Sequence, residues 1–581
     1  MNAAPRHGGD RIADALQAQG VQVLFTLCGG HISPILAAAK ARGIRVVDVR
    51  DEATAVFAAD ATARLTGIPG VAAVTAGPGI TNSITALKNA QLAQSPLVLL
   101  GGAAPTALQG RGALQDIDQR SLVEPHVKAF IKLARVRNLG PAVAEAFAAA
   151  ASGVPGPVFV ECPVDLLYDE ASIRQWYAEA AGKGTSLADR ALRWYLNRHA
   201  ERMFAGSHEA APVAARQVEV PQSPAGALRA AAAALARAER PLLVIGSQAV
   251  VCAGEAAALA QALERLGMPA YLSGMARGLL GREHPLQMRH ARRLALREAD
   301  CVVLAGVPCD FRLDYGRHVR RSATLIAANR SRRDARLNRR PDIAALGDAG
   351  RFVAALADAP ASAPLRREGW IAALRERDRQ RESEIDQQAE VRGEFVNPLA
   401  LLRAIEREAA DDAVFVADGG DFVGSASYVL HPRGPLAWLD PGAFGTLGVG
   451  AGFALGAAIA RPGREVWMIL GDGACGWSLA EFDSFVRQRV PVIAVVGNDA
   501  GWTQIAREQV KMLHDDVGTV LARTDYHAVA AGFGAHGLLL RRADEVGPTL
   551  ARARALAREG HAVLVNAWLD KTAFREGSLS M

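Results

Sequence analysis

The chain has 581 residues, of which 50% are hydrophobic and 22% are charged, and its formal net charge is +6 at pH 7. This length exceeds what a single hydrophobic core supports, so several domains are expected. This composition is not that of a disordered chain. The sequence contains no run of about eighteen apolar residues, so no membrane-spanning helix is expected.

The predicted elements form three blocks, in each of which short apolar strands alternate with helices. The first block, residues 1–185, contains five predicted strands, at 21–26, 44–49, 71–76, 97–101 and 158–161. The second block, residues 222–358, contains three, at 242–245, 301–304 and 324–327. The third block, residues 395–570, contains four, at 414–417, 466–470, 492–496 and 562–566. This alternation predicts an α/β protein with three doubly wound, parallel-sheet domains.

Two connectors separate the blocks. Residues 186–221 begin with an amphipathic helix at 187–204. Residues 359–394 begin with an Ala/Pro/Ser segment and continue as a charged helix at 370–391. Residues 571–581 are interpreted as a C-terminal tail and a candidate lid over an active site.

Polar side chains follow two neighbouring strands of the third block. Gly471, Asp472 and Gly473 follow one strand, and Asn498 follows the next, 26 positions after Asp472. That interval leaves room for one helix, so both groups are expected at the carboxyl edge of a parallel sheet, where ligands bind. Carboxylate and amide oxygens suit Mg²⁺, and glycines let backbone amides approach a phosphate. The pattern predicts a metal–diphosphate site, with an ordinary strand–loop–helix as the alternative.

Four motifs in this order carry a family resemblance. Glu52 lies in Val-Arg-Asp-Glu-Ala, residues 75–82 read Thr-Ala-Gly-Pro-Gly-Ile-Thr-Asn, residues 442–450 read Gly-Ala-Phe-Gly-Thr-Leu-Gly-Val-Gly, and the fourth motif runs from Gly471 to Asn498. Together they resemble the thiamine-diphosphate enzymes of the acetolactate-synthase superfamily over nearly the whole chain. The resemblance implies a pyrimidine-binding first domain, a central domain and a diphosphate-binding third domain. It also implies a homodimer or homotetramer with the active site at the dimer interface.

The resemblance further implies roles for particular residues. The implied catalytic residues are Glu52 and Gln115, and His31, which follows Gly29-Gly30, is considered as a relay for the substrate proton. The implied cofactor-binding residues are Gly420, Asp421, Phe422, Gly445, Leu447, Gly471, Asp472, Gly473, Ala474 and Asn498, and the implied metal ligands are Asp472, Asn498 and the backbone oxygen of Ala500. Glu52 would hydrogen-bond the pyrimidine ring, and Leu447 would support the two rings. The alternatives are a helix-dipole acid for Glu52, plain core for Leu447 and a structural loop residue for His31.

Several segments point to one branch of the superfamily. Residues 31–34, 438–450 and 497–502 are more like the 2-hydroxyacyl-CoA lyases, also called acetolactate-synthase-like. This resemblance implies cleavage of a 2-hydroxyacyl-CoA to an aldehyde and formyl-CoA, or the reverse acyloin condensation. Thiamine diphosphate and Mg²⁺ are the expected cofactors; ADP is considered for the central domain and FAD is not expected. The residues considered for contacts with CoA phosphates are Arg277, Arg282, Arg312, Lys571 and Arg575.

The chain departs from the superfamily pattern at three places. Gly497 replaces the first Asn of an Asn-Asn pair, and Gly420-Asp421-Phe422 replaces a segment that often carries Gln-His. An acid at 421 would repel phosphate unless its side chain turns away. Ile505 stands where acetolactate synthases use a tryptophan, which argues against the main alternative, a carboligase acting on pyruvate. A non-catalytic homologue is the second alternative, but Glu52, Asp472 and Asn498 are all present.

Cysteine and arginine patterns bear on compartment and partners. The six cysteines show no CxxC pair and no zinc spacing, which favours reduced thiols and a cytoplasmic protein. Residues 330–340 contain six arginines without stacking aromatics or a nucleic-acid-binding motif. We interpret this run as a solvated surface, with a phosphate-bearing ligand as the alternative, and expect neither nucleic acid nor membrane as a partner.

Overall fold

The computed structural model describes residues 6–207, 213–359 and 367–577. These residues contain three six-stranded sheets, and neighbouring strands within each sheet run parallel. The chain divides into two compact units, one of residues 1–63 and 68–219 and the other of residues 64–67 and 220–581. The prediction of three doubly wound α/β domains is confirmed at the level of the sheets.

The first unit is built around the sheet β2-β1-β3-β4-β6-β5. Its strands are β1 (Val23–Thr26), β2 (Arg45–Asp48), β3 (Gly70–Val74), β4 (Leu97–Ala103), β5 (Ala129–Lys132) and β6 (Pro157–Pro163). Its helices are α1 (Gly8–Ala18), α2 (Ser33–Ala41), α3 (Glu52–Thr66), α4 (Pro78–Asn82), α5 (Ile84–Ala93), α6 (Gln119–Val123), α7 (Leu139–Ala151), α8 (Glu170–Ala181) and α9 (Leu187–Phe204). Strands β3, β4 and β6 are buried throughout, which explains their largely apolar sequences.

The second unit contains the other two sheets, of which the central one has the order β12-β11-β10-β7-β8-β9. Its strands are β7 (Pro241–Ile245), β8 (Ala270–Leu272), β9 (Gln287–Met288), β10 (Cys301–Ala305), β11 (Thr324–Asn329) and β12 (Ile343–Leu346). Its helices are α10 (Ala225–Arg237), α11 (Ala256–Leu266), α12 (Arg292–Glu298) and α13 (Ala349–Ala357). The long helix α14 (Glu368–Ala389) follows, close to the predicted charged helix at 370–391.

The C-terminal sheet has the order β14-β13-β15-β16-β18-β17. Its strands are β13 (Val414–Ala417), β14 (Trp438–Leu439), β15 (Val466–Gly471), β16 (Ile493–Asn498), β17 (His536–Leu540) and β18 (Val563–Trp568). Its helices are α15 (Pro398–Glu408), α16 (Asp421–Val429), α17 (Val449–Ala460), α18 (Asp472–Ser478), α19 (Phe482–Gln488), α20 (Thr503–Leu513), α21 (Tyr526–Gly532) and α22 (Val546–Arg558). Strands β13, β15 and β16 are neighbours, so their carboxyl ends lie side by side.

The first connector is a structural part of the first unit. Helix α9 has the predicted bounds, and its Met203 and Phe204 belong to the same hydrophobic core as α1 and α7. The exact boundaries of the three domains stay predictions. Of the predicted tail, residues 578–581 lie outside the described residues. Within the part of the chain that the structure describes, no helix is long and apolar enough to cross a bilayer.

Candidate functional site

The loops after β15 and β16 are joined through one carboxylate. Asp472 is buried, and its Oδ1 accepts a hydrogen bond from Gly473 N at 2.8 Å while its Oδ2 accepts one from Gly501 N at 3.0 Å. Because Gly471 and Gly497 are paired in register, these loops leave the sheet side by side. The structure therefore brings the two halves of the predicted metal–diphosphate motif together.

Asn498 is fully buried at the end of β16, and its orientation is fixed by its amide nitrogen. Nδ2 donates to Asn566 Oδ1 at 3.1 Å and to Thr524 O at 3.4 Å. Oδ1 therefore lies on the opposite side of the amide, where it accepts a hydrogen bond from Ala500 N at 3.3 Å. Ala500 has a φ of 57°, and its carbonyl accepts from Leu521 N at 3.0 Å, which leaves that oxygen a second lone pair.

These groups fit a hard cation. Burial and then the charge of Asp499 raise the pKa of Asp472 to about 6, so a positive ion beside this carboxylate would offset an unfavourable environment. Carboxylate, amide and carbonyl oxygens are the ligands that Mg²⁺ prefers when phosphate oxygens complete its shell. Among the described residues, no group of three or more His, Cys, Asp or Glu side chains forms an alternative metal site.

The glycine and alanine of this loop begin a short helix. A Cβ at Gly473 would lie 2.4 Å from the ring of Trp502, so the indole packs directly on the bare backbone. Ala474 is buried in the first turn of α18. Both positions suit a backbone that contacts a ligand closely, although their contacts to a diphosphate stay predictions.

Two departures from the superfamily pattern, Gly497 and the segment 420–422, lie in contact with each other. A Cβ at Gly497 would lie 2.5 Å from the ring of Phe422, so the phenylalanine occupies the space that a longer residue at 497 would need. The carboxylate of Asp421 accepts from Arg507 Nη2 at 2.8 Å, and both side chains are almost buried. The charge of the acid is thus compensated by α20, and Gly420, with a φ of 111°, turns the backbone just before it.

The segment that carries Gly445 and Leu447 contacts the end of β13. Leu447 is half-buried, and a Cβ at Gly419 would lie only 2.2 Å from its Cδ2. The partial exposure of Leu447 favours the predicted role as a support for the cofactor rings over a purely structural role in the core. Gly445 is exposed. Asp418, which the sequence analysis missed, is almost fully buried beside them and accepts hydrogen bonds from Gly448 N and Gly450 N, each at 2.9 Å.

Glu52 is buried at the start of α3 in the first unit. Its Oε2 accepts a hydrogen bond from Asn82 Nδ2 at 3.0 Å, and its Oε1 lies 3.4 Å from where a Cβ on Gly79 would be. The Thr75–Asn82 motif therefore wraps around this carboxylate. Asn82 had no assigned role in the sequence analysis.

His31 and Gln115 meet at the other end of the same motif. His31 Nδ1 lies 3.2 Å from Thr75 Oγ1, which in turn lies 3.5 Å from Gln115 Oε1. Gln115 has a φ of 62° and packs on Gly77, where a Cβ would lie 2.9 Å from the Gln115 carbonyl oxygen. Burial lowers the pKa of His31, so its imidazole is neutral at pH 7. The structure thus places both predicted residues around one hydroxyl.

A cavity of about 1160 Å³ lies within the second unit, between the central sheet and the C-terminal sheet. Nine arginines line it against four acidic residues, so its lining is strongly positive. Three of the arginines are the most deeply buried and donate to backbone carbonyls: Arg277 to Ser427 O at 2.8 Å, Arg289 to Tyr428 O at 2.8 Å and Arg292 to Arg312 O at 2.6 Å. Burial lowers the pKa of Arg289 to about 10 and lowers the pKa of the other two. Such an environment favours a polyanionic ligand.

Only some of the residues considered for contacts with CoA phosphates line this cavity. Arg277, Arg312 and Arg575 line the cavity, and residues 574–577 of the predicted tail form part of its wall. Arg282 and Lys571 are not among the lining residues, and Arg282 instead contacts Glu406 at 2.9 Å. The other six lining arginines were missed, because nothing in a single sequence distinguishes them from surface arginines; they are Arg289, Arg292, Arg293, Arg297, Arg377 and Arg381.

Comparison with protein-family models gives three matches in chain order. Residues 6–122 match the thiamine pyrophosphate enzyme N-terminal TPP binding domain, residues 228–356 match the central domain and residues 418–567 match the C-terminal TPP binding domain. The chain therefore belongs to the thiamine pyrophosphate enzymes. The suspected family is confirmed, and with it thiamine diphosphate as the cofactor of the fold.

Within this family, the chain is similar over nearly its whole length to proteins with more specific names. The chain is 51% identical to the human protein named 2-hydroxyacyl-CoA lyase 2, an alignment that covers 100% of this chain and 92% of the relative. It is 49% identical to the protein of that name from Caenorhabditis elegans, covering 99% of this chain and 91% of the relative. A protein of Mycobacterium bovis named probable acetolactate synthase is 36% identical, covering 98% of this chain and 96% of the relative.

Proposed function

We propose that this chain is a thiamine-diphosphate-dependent carbon–carbon lyase that cleaves 2-hydroxyacyl-CoA to an aldehyde and formyl-CoA, or runs the reverse condensation. The observation that carries this proposal is the arginine-lined cavity, read together with full-length relatives named for that substrate. Pyruvate has no phosphates to place in such a cavity, whereas the CoA part of the thioester has several.

Residues of the C-terminal domain would hold the cofactor. We assign Asp472, Asn498 and the carbonyl of Ala500 as the groups that would hold Mg²⁺, whose positive charge would offset that of a diphosphate. The backbone around Gly473 and Ala474 would contact the phosphate oxygens. The geometry that supports this assignment is the joint fixing of both loops by the Asp472 carboxylate, together with the orientation of Asn498, whose Nδ2 is held by Asn566 so that Oδ1 lies on the other side of the amide. When bound, the cofactor supplies the stabilisation of a carbanion.

Residues of the first unit would move protons. We propose that Glu52, buried and held by Asn82, donates a hydrogen bond to or accepts one from the pyrimidine ring of the cofactor. Neutral His31 and Gln115, joined through Thr75, would face the 2-hydroxyl group of the substrate, whose proton must leave when the C1–C2 bond breaks. Because Glu52 and the diphosphate site belong to different domains of the family, we propose a homodimer or homotetramer in which two copies complete each site. Reduced thiols fit a cytoplasmic enzyme, since all six cysteines are free.

The cavity would bind the nucleotide end of CoA. Guanidinium groups recognise phosphate bidentately, and those that are already desolvated need less reorganisation on binding. Arg293 lines the cavity at an exposed position, so its removal should leave the fold intact. ADP in the central domain stays a separate prediction.

The test compares substrates and one arginine variant. We expect the holoenzyme to release aldehyde and formyl-CoA from 2-hydroxyacyl-CoA, and Arg293→Gln to raise KM about tenfold with little change in kcat. A 2-hydroxyacyl-pantetheine thioester, which lacks the nucleotide, should be cleaved equally by both proteins. Arg333→Gln, at an exposed position away from the cavity, is the matched control. Efficient formation of acetolactate from pyruvate, with no cleavage of the thioester at any chain length, would instead support the carboligase alternative.

A further inference from the structure

Helix α17 lacks a capping side chain of its own. It begins after Gly448, whose φ is 86°, and no residue at its N-terminus provides a side-chain cap. Asp418, the residue that follows β13, supplies the missing acceptors: Oδ1 accepts from Gly448 N and Oδ2 accepts from Gly450 N, each at 2.9 Å. One carboxylate thus binds both ends of a three-residue stretch at the start of the helix.

We call the contact of the Asp418 carboxylate with Gly448 N and Gly450 N the clamp. Gly419, the next residue, makes contacts on either side of it. On one side, Gly419 packs against Leu447, whose Cδ2 would lie 2.2 Å from a Cβ at 419. On the other side, Gly419 O accepts a hydrogen bond from Gly471 N at 3.1 Å. The dipeptide Asp418-Gly419 therefore contacts both the segment with Gly445 and Leu447 and the loop that leads into Asp472.

Burying the charged carboxylate of Asp418 costs more free energy than an ordinary helix cap requires. Asp418 is 3% exposed, and burial raises its pKa to about 7 even though backbone amides of residues 448–450 favour the charged form. Serine and asparagine are equally good N-cap residues and carry no charge to bury. Only a carboxylate, however, offers two equivalent acceptor oxygens that can hold Gly448 and Gly450 at once.

We infer that Asp418 is a positioning residue that fixes the Gly445–Leu447 segment relative to the Gly471–Asp472 loop. This inference rests on the proposed cofactor site, because those two segments are the ones assigned to the ring end and the diphosphate end. By holding Leu447 and the Gly445 carbonyl in place, Asp418 would fix the part of the protein that is assigned to the ring end of the cofactor.

The first test measures the clamp in the protein without cofactor. In Asp418→Asn one acceptor oxygen becomes an amide nitrogen that faces a backbone N–H, so amide hydrogen exchange should accelerate about tenfold in the peptide spanning residues 445–451. Asn397→Ala is the matched control, because Asn397 caps α15 in the same domain through Leu399 N and Ala400 N and is far along the chain from this segment. It should lower the thermal midpoint without altering exchange at 445–451.

The second test uses bound thiamine diphosphate. We expect Asp418→Asn to slow exchange of the thiazolium C2 proton about 100-fold, as a misplacement of catalytic geometry does, and to weaken cofactor binding much less. Asn397→Ala should leave the C2-exchange rate unchanged. If Asp418→Asn fails to fold, Asp418→Ser, which also keeps only one acceptor oxygen but places no amide nitrogen against a backbone N–H, should show the same two effects.

The two tests separate the failure modes. Wild-type exchange at both 445–451 and the C2 proton in a folded Asp418→Asn protein would overturn the inference. If the wild-type chain binds no thiamine diphosphate, the proposed function fails, while the amide-exchange result still decides whether the clamp exists.

Discussion

At the scale of single residues, Glu52 carries the sharpest expectation. Its carboxylate is buried and already fixed by Asn82, so Glu52→Gln keeps the shape while removing the ability to share a proton. We expect kcat to fall by about 100-fold or more, with cofactor affinity nearly unchanged. Steady-state kinetics and calorimetric titration with thiamine diphosphate would measure both. Glu145→Gln, at an exposed position on α7, is the control, and turnover by Glu52→Gln equal to wild type would contradict the assignment.

His31 sets an expectation for the pH profile. Burial lowers the pKa of His31, so the neutral ring persists below the pH at which an exposed histidine becomes charged. If neutral His31 accepts the hydroxyl proton, kcat/KM should be constant at neutral pH and decline only below about pH 6.5. The acid limb should disappear in His31→Gln, whose activity is lower throughout. An acid limb that is identical in the variant would show that another group controls it.

Candidate site residues were easiest to recognise from the sequence where a side chain follows an apolar strand. Asp472 and Asn498 follow apolar strands and were identified for that reason, and Asp418 follows β13 in the same way but was passed over for Asp421. Asn82 and Thr75 could be placed in a motif but not given partners. Their hydrogen bonds depend on side-chain rotamers that one sequence does not determine.

At the scale of elements, most of the unpredicted strands lie at the edges of their sheets. Five of the six missed strands lie at sheet edges, namely β5, β9, β12, β14 and β17, and the sixth, β8, is next to an edge. Edge strands are covered less completely, so they need no continuous apolar run; β5 and most of β17 are only partly buried. The central strands, buried on both faces, were recognisable because burial demands that run.

Helix α14 is anchored by a charge network that its sequence does not reveal. The carboxylate of Glu382 accepts hydrogen bonds from His290 Nε2 at 2.8 Å and from Arg403 Nη2 at 2.6 Å. Because His290 lies between β9 and α12 and Arg403 lies in α15, Glu382 connects these two parts of the second unit. Burial alone would raise the pKa of Glu382, but hydrogen bonds from His290, His431 and Arg403 lower that pKa well below its usual range. The ionised form is therefore the one that stabilises the fold.

Removing this charge should cost stability. We expect Glu382→Gln to reduce the free energy of unfolding by about 2 kcal/mol at pH 7, because several cations lose their partner. Since the folded-state pKa is depressed, the loss should be full above about pH 4.3 and shrink as pH falls further. Denaturant titration at several pH values measures this. Glu376→Gln, in an exposed pair with Arg379, should change stability by less than about 0.5 kcal/mol, and equal effects of the two variants would contradict the network's importance.

At the scale of the whole molecule, the sequence and the comparisons agree on the family, whereas assembly stays a proposal. The order of three domains was readable because its motifs fall at strand ends spread over the chain. The association of copies was not readable, since it depends on complementary surfaces rather than on a local pattern.

Mixing two inactive variants tests the shared site. If Glu52 of one copy serves the Asp472 of another, a mixture of Glu52→Gln and Asp472→Asn chains should regain about a quarter of wild-type activity after subunit exchange, since half of the random dimers each restore one of two sites. Each variant alone should be nearly inactive. Absence of recovery, despite mixed dimers detected by native mass spectrometry, would show that each chain completes its own site.

The most direct measurement follows the carbon atoms of one reaction. The holoenzyme would be given a 2-hydroxyacyl-CoA labelled with ¹³C at the thioester carbonyl, and the products would be followed by NMR and mass spectrometry. The account predicts that the label appears in formyl-CoA, with one equivalent of unlabelled aldehyde that is one carbon shorter than the acyl group. Label that stays in the intact 2-hydroxy acid or its thioester, with no aldehyde formed, would contradict it.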